Sequence, residues 1–199
     1  MVSSSGWGGI FIAGCFSDTR YEGKSLEQIL REKGKFNNPY EGFLEWLIEI
    51  KGNARSVSFY GSEDDVSTVM KHSLASIGSD GRAISPKAGG RPHPRFYGTF
   101  PRVLGKYVRE EKLLTLEEAV RKMTALPAAA FGIQDRGILR EGLAADITIF
   151  DPDKIIDKAT YENPHQYPEG ISYVIVNGEV VVEKGKHTGK RSGRVLRRK

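Results

Sequence analysis

Residues 74–81 read Leu74-Ala75-Ser76-Ile77-Gly78-Ser79-Asp80-Gly81, an apolar run that ends on a carboxylate and a glycine. A buried strand of an α/β enzyme presents an acid in this way, at its C-terminal end. An Asp-Gly pair after a strand can equally be a turn former or a helix cap. Three features weight Asp80 toward chemistry. The run before it is apolar enough to be buried, the acid would stand at the strand's C-terminal end, and the loop that follows carries Arg91, His93, Arg95 and Tyr97. A carboxylate near arginines suits metal ligation or proton transfer, and the arginines suit an anionic substrate.

Upstream of this run the chain alternates strand and helix. Residues 8–14 are β-branched, aromatic and bounded by glycine, which predicts a short buried strand, and residues 16–24 are loop-like. Ser25 and Gln28 form a capping box for a helix that Gly34 stops. Asn38 then caps a second helix with Pro39 at its first position, and Phe43, Leu44, Leu47 and Ile48 recur at helical spacing up to Lys51-Gly52. Residues 56–60 read as a strand. A helix follows from Ser62, with Asp65 three residues on and Val66, Val69 and Met70 on one face. The order strand, helix, strand predicts βα units with parallel strands.

Downstream, residues 81–102 are rich in Gly, Pro and Arg and have neither helical nor alternating period, so they read as a long functional loop. Within it Arg91-Pro92-His93-Pro94-Arg95 is stiffened by its prolines. It is either an exposed polyproline-like loop or a rigid mount for an arginine fork that binds a carboxylate. Helices are predicted around 100–111, from the box at Thr115 and Glu118 through Met123, and from Pro127 to Gly132. Past Gly137 the texture becomes strands at 145–150, 172–176 and 179–183, with Asn177-Gly178 a strong hairpin turn. A domain boundary is therefore placed near 132–137. About three strands cannot cover both faces of a sheet, so the second part looks incomplete.

Composition narrows the class. The chain has 199 residues, 39% apolar and 28% charged, which is ordinary for a globular protein. Its net charge is +5, but residues 186–199 hold seven Lys or Arg and no acid, leaving the rest at −2. With no aromatics among those charges, the segment reads as a solvated basic tail and no nucleic-acid partner is expected. The single cysteine, Cys15 between Gly14 and Phe16, rules out an internal disulfide framework and reads as buried packing in a reducing, cytoplasmic protein. No apolar stretch is long enough to span a membrane, and the start at Met1 lacks the charged region of a signal peptide. His72, His93, His165 and His187 lie far apart and form no local metal-binding pair, so no complete zinc site is expected from this chain alone. His72 is placed at a helix end, His165 and His187 at the surface.

Several stretches together resemble one family. These are Gly78-Ser79-Asp80-Gly81; Pro92-His93-Pro94-Arg95-Phe96-Tyr97-Gly98-Thr99-Phe100-Pro101-Arg102-Val103-Leu104-Gly105; Gly137-Ile138-Leu139-Arg140-Glu141-Gly142-Leu143-Ala144-Ala145-Asp146-Ile147; Pro164-His165-Gln166-Tyr167-Pro168-Glu169-Gly170; and Val176-Asn177-Gly178. They look like the C-terminal part of N-acyl-D-amino-acid deacylases, the D-aminoacylases of the amidohydrolase superfamily. The resemblance covers essentially the whole chain, and the stretch from His93 to Gly105 is its most specific part.

The resemblance implies an α/β fold: the C-terminal portion of a (β/α)₈ barrel over residues 1–132, with a lid-like segment at about 16–60, part of a small β-sandwich at 133–185, and the basic tail at 186–199. It implies that Asp80 ends the eighth barrel strand as general base and then acid, and is a possible metal ligand, while Arg95 holds the substrate's α-carboxylate with His93 beside it. The family's other zinc ligands, a His-x-His pair, a bridging Cys or acidic residue and two later histidines, precede anything in this chain, and Cys15 is not that cysteine. The implied function is the C-terminal half or subunit of a zinc-dependent enzyme that cleaves N-acyl-D-amino acids to a carboxylate and a free D-amino acid. It would be inactive without an N-terminal metal-binding half and oligomeric through its open strand edges. The alternatives are a non-catalytic assembly or regulatory fragment, or an amidohydrolase acting on cyclic amides.

Overall fold

The computed structural model describes residues 6–197, so the readings placed on Met1 and on the last two residues of the tail lie outside the described residues. Helices and β-strands make up an α/β chain that divides into two compact units. One comprises Met1–Ser62, Gly81–Phe96 and Thr160–Gln166, the other Glu63–Asp80, Tyr97–Ala159 and Tyr167–Lys199. Residues on both sides of 132–137 thus cluster in the second unit.

In the first unit β1 (Ile10–Cys15) pairs antiparallel with β2 (Ala54–Ser58), with Ile12 opposite Ser56 and a register shift between Ile12 and Gly14. Helix α1 (Leu26–Glu32) starts as its sequence requires. Ser25 Oγ accepts from the Gln28 N–H at 3.2 Å, and Gln28 Oε1 accepts from the Ser25 N–H at 2.8 Å. Helix α2 (Pro39–Glu49) starts at Pro39, but the Asn38 amide donates to Glu41 at 2.6 Å instead of capping a backbone N–H, which corrects the role read for it. These helices and β1 enclose Ile12, Cys15, Tyr21, Leu26, Ile29, Trp46 and Ile50. Cys15 is fully buried there, packing as a small apolar side chain. The buried face of α2 is set by Trp46, whereas Leu44 and Ile48 remain 59% and 77% exposed.

The second unit contains α3 (Glu63–Lys71), the part of α4 (Arg95–Arg102) from Tyr97 onward, α5 (Leu116–Met123) and α6 (Ala125–Ala130). Helix α4 runs on into a π-helix, Val103–Glu110. Its wider turn carries Gly105, where an added Cβ would lie 2.6 Å from the Ile155 carbonyl oxygen, so glycine is what allows the 155–156 segment to approach. Arg109 donates to the Ile155 carbonyl at 2.6 Å and to that of Pro152 at 3.1 Å. Met70, Val103, Leu104, Tyr107, Ala119 and Ile155 form the buried core. The Tyr107 hydroxyl donates to Glu63 at 2.9 Å, and burial followed by that bond pushes its pKa up.

The unit also holds an antiparallel sheet in the order β3 (Ile147–Phe150), β4 (Ile171–Val176), β5 (Glu179–Glu183), β6 (Lys186–His187). Asn177 and Gly178 turn β4 into β5 with φ of 49° and 82°, the left-handed pair a two-residue hairpin needs. Asp146 braces that turn: its Oδ1 accepts the Asn177 N–H at 2.7 Å while Oδ2 pairs with Arg136, which also reaches Asn177 Oδ1. The Ala145-Asp146 pair is thus structural. Part of the basic tail is also tied down, since residues 186–187 form β6 and Asn177 Nδ2 donates to the Ser192 carbonyl at 2.6 Å.

Two expectations are corrected. Among the described residues every strand pair is antiparallel, so the parallel pair predicted from 56–60 and 74–77 does not form. Residues 75–80 form no helix and join no ladder, and Leu74 is 78% exposed instead of buried. An apolar run becomes a strand only when a neighbour accepts its N–H and C=O groups. Among the described residues no strand lies alongside this one.

Candidate functional site

Asp80 stands at the end of this irregular segment, in the second unit, exposed, with φ of 45°. Aspartate is among the few non-glycine residues that enter this region readily. The segment's backbone ends on helix α5 instead of a ladder. The Ile77 N–H donates to the Lys122 carbonyl at 3.0 Å, and the Lys122 ammonium donates to the carbonyls of His72 and Ala75. Arg121 donates to the Ser73 carbonyl at 2.8 Å and forks onto Glu118 at 2.7 and 2.8 Å. The Arg121 guanidinium, with Lys122 adding to it, holds the Glu118 carboxyl at about 2.

His93 and Arg95 belong to the first unit, and the structure brings these two together. The Arg95 N–H donates to His93 Nδ1 at 3.0 Å and the Phe96 N–H to the His93 carbonyl at 3.1 Å, so His93 caps the start of α4. A backbone N–H can only donate, which leaves Nδ1 without a proton and puts the imidazole's hydrogen on Nε2. That Nε2 faces the Tyr161 hydroxyl at 3.1 Å, and Tyr161 stacks edge-on against both His93 and Phe59.

The rest of the loop is fixed from two sides. His165 Nε2 lies 3.2 and 3.1 Å from the carbonyl oxygens of Gly89 and Gly90, both acceptors, so it donates to them. The Arg91 N–H donates to the Ala13 carbonyl, and the Arg91 guanidinium occupies the space a Cβ on Gly23 would take. The loop is therefore held by specific partners and not by its prolines alone. Tyr97, grouped with these residues from sequence, lies in the second unit edge-on to Tyr167, and burial pushes its hydroxyl pKa up.

Sequence reasoning missed Lys122, Tyr161 and the role of His165. His165, which the sequence reads as a surface residue, is half-buried and bonded to two loop carbonyls. No local signal marks Lys122, whose burial depends on carbonyls almost fifty residues away. Among the described residues no group of three or more His, Cys, Asp or Glu could hold a metal ion. The described donors therefore do not by themselves make up a metal centre. No helix of the described residues is long and apolar enough to cross a membrane.

The sequence profile of the Amidohydrolase family matches residues 42–182, a span that contains Asp80, His93 and Arg95. D-aminoacylase of Alcaligenes xylosoxydans xylosoxydans is 39% identical over 191 residues, which cover 96% of this chain and 37% of that enzyme. N-acyl-D-glutamate deacylase of the same organism is 46% identical over 145 residues, covering 73% of this chain and 29% of the relative. Among solved structures, N-acyl-D-glutamate deacylase from Bordetella bronchiseptica, complexed with zinc and a phosphonate mimic of the reaction's tetrahedral intermediate, superposes with a TM-score of 0.80 at 38% identity. That match covers 95% of this chain and 37% of the other. The chain thus spans well under half the length of the relatives it matches, and within that span it belongs to the amidohydrolase family.

Proposed function

We propose that this chain contributes the C-terminal part of an N-acyl-D-amino-acid deacylase, corresponding to the end of the family's barrel and part of its β-sandwich. The observation that carries the proposal is the 39% identity to D-aminoacylase over 191 residues, a stretch that includes Asp80 and the His93–Arg95 loop. In amide hydrolysis a water oxygen bonds to the acyl carbon, the C–N bond breaks, and the amine leaves as the free D-amino acid. The water must lose a proton and the leaving nitrogen must gain one, and Asp80 is the carboxylate that carries it. Arg95 supplies a planar fork for the substrate's α-carboxylate. His93, by capping the helix that begins at Arg95, fixes the backbone from which that fork extends and lines the same end of the substrate.

The zinc held by the Bordetella relative does not fit the donors described in this chain. On this reading its ligands come from a metal-binding N-terminal half, and this chain supplies proton transfer and carboxylate recognition. That half is the proposed protein partner, in an assembly that also covers the open strand edges.

The test is to co-produce the chain with the N-terminal part of D-aminoacylase and assay N-acetyl-D-amino acids, their L-enantiomers and a cyclic imide. Release of D-amino acid only in the combined preparation, abolished by Asp80→Ala, is expected. Undiminished activity in Asp80→Ala rejects the proton role, and enzyme-like turnover by the chain alone with zinc rejects the division of labour. Preferential opening of the cyclic imide would assign a different substrate.

A further inference from the structure

The segment that bears Asp80 is fastened by the last turn of α5, and the fastening centres on a buried charge. Lys122 is 0% exposed, a rare state for an ammonium group, since removing it from water is costly unless its donors are satisfied. Its Nζ donates to the His72 carbonyl and, at 3.1 Å, to the Ala75 carbonyl, with Glu118 Oε1 at 3.5 Å. Its own carbonyl accepts the Ile77 N–H at 3.0 Å. Arg121, one residue earlier, donates to the Ser73 carbonyl while Glu118 orients its guanidinium. One helical turn therefore holds backbone groups of residues 72, 73, 75 and 77. The ammonium stays satisfied only while those carbonyls keep their places, so the charge and the path of the segment fix each other. Asp80 follows three residues later in a left-handed conformation.

We infer that Lys122 is a positioning residue: by pinning the backbone of residues 72–77 it sets where the Asp80 carboxylate stands. The inference rests on the proposed proton-carrying role of Asp80. Arg121 and Glu118 support the same segment from the flank, and their loss is milder because Lys122 remains.

The 199-residue chain, labelled with ¹³C at aspartate carboxyls, provides a readout independent of turnover. The Asp80 signal is identified by its loss in Asp80→Asn. Lys122→Met is expected to shift that signal. It should also speed exchange of the Ile77 amide by about tenfold or more, the effect of losing hydrogen bonds from a charged donor. Lys122→Arg, which keeps a cation with several donors, should restore both in part. Where Lys122→Met does not fold, Arg121→Ala removes the Ser73 bond and the fork onto Glu118 but leaves Lys122 in place, and should produce the same changes at smaller size. An unchanged Asp80 signal and Ile77 amide in a folded Lys122→Met chain, or in Arg121→Ala, overturns the inference.

In the co-produced enzyme, Lys122→Met should lower kcat by roughly 10–100-fold while KM stays near its starting value, as for a misplaced catalytic group. Full activity in Asp80→Asn would remove the catalytic role of Asp80. The carboxyl signal and amide exchange would still decide whether Lys122 positions it.

Discussion

Residues 171–183 and residues 72–80 lie in the same unit and both look like strands in the sequence, yet only the first becomes part of a ladder. In the first, Ile171–Val176 meets Glu179–Glu183 across a two-residue turn, so the partner for each N–H and C=O is supplied locally. In the second, the backbone is satisfied by a lysine, an arginine and a carbonyl from a helix more than forty residues downstream. Closing a short loop costs little chain entropy, which is why a hairpin can be read from its turn. A run whose partners are remote carries no such mark. Apolarity decides that a segment will seek burial, and the available partners decide what shape it takes.

This contrast can be broken hardest on the sheet side. Gly170, just before β4, has φ of +85°, and a Cβ there would sit 2.5 Å from the Ile155 N and Cα, backbone atoms that cannot swing aside. Gly170→Ala should destabilise the chain by about 3 kcal/mol or more, from overpacking added to left-handed strain, measured as a shift in the urea midpoint. A loss below about 1 kcal/mol would mean the 154–155 segment yields easily. Asp146→Ala comes next. It leaves the Asn177 N–H without its carboxylate acceptor and Arg136 without one of its acids, at a cost of about 1–3 kcal/mol by the same measurement. Gly178→Ala should cost about 1–2 kcal/mol, because a Cβ there meets nothing within 4 Å and only the left-handed strain remains.

The smallest effect belongs to the helix that holds the other run. Glu118 titrates at about 2 in the folded chain against an ordinary value of 4.5, so the unfolded chain binds more protons between these values. Its contribution to stability is therefore complete above pH 4.5 and disappears as pH falls through about 2. Comparing thermal midpoints of the parent and Glu118→Gln over that window should show a steeper acid loss in the parent. Added salt should narrow the gap, since this pair is open to solvent. Parallel curves would show that the Glu118–Arg121 fork contributes nothing to stability.

Features written in adjacent residues were readable without coordinates. The box at Ser25 and Gln28, the cap at Thr115 and the turn at Asn177-Gly178 each depend on a bond within three residues, and each forms. Asn38 is the exception: its Nδ2 donates to the Glu41 carboxylate, and its Oδ1, the atom a cap would use, accepts no backbone N–H of the helix. In the candidate site, the sequence pointed to Asp80, His93 and Arg95, and the His93–Arg95 hydrogen bond is as local as a cap. The groups that hold those residues were not legible. Tyr161 and His165 reach a loop roughly seventy residues earlier, and Lys122 looks like any exposed helix lysine until the carbonyls that surround it are known.

The tie between His93 and Tyr161 also has a consequence for the order in which the protein is made. The loop is complete in the nascent chain by residue 96, but the first unit still lacks Thr160–Gln166 at that stage. At ribosomal speeds of about 5–20 residues per second, roughly 3–14 seconds pass before Tyr161 and His165 are added. Through that interval the Arg95 segment must remain soluble without them, and the final shape of the loop is acquired late in synthesis, after both halves of the β1–β2 pair have long been present.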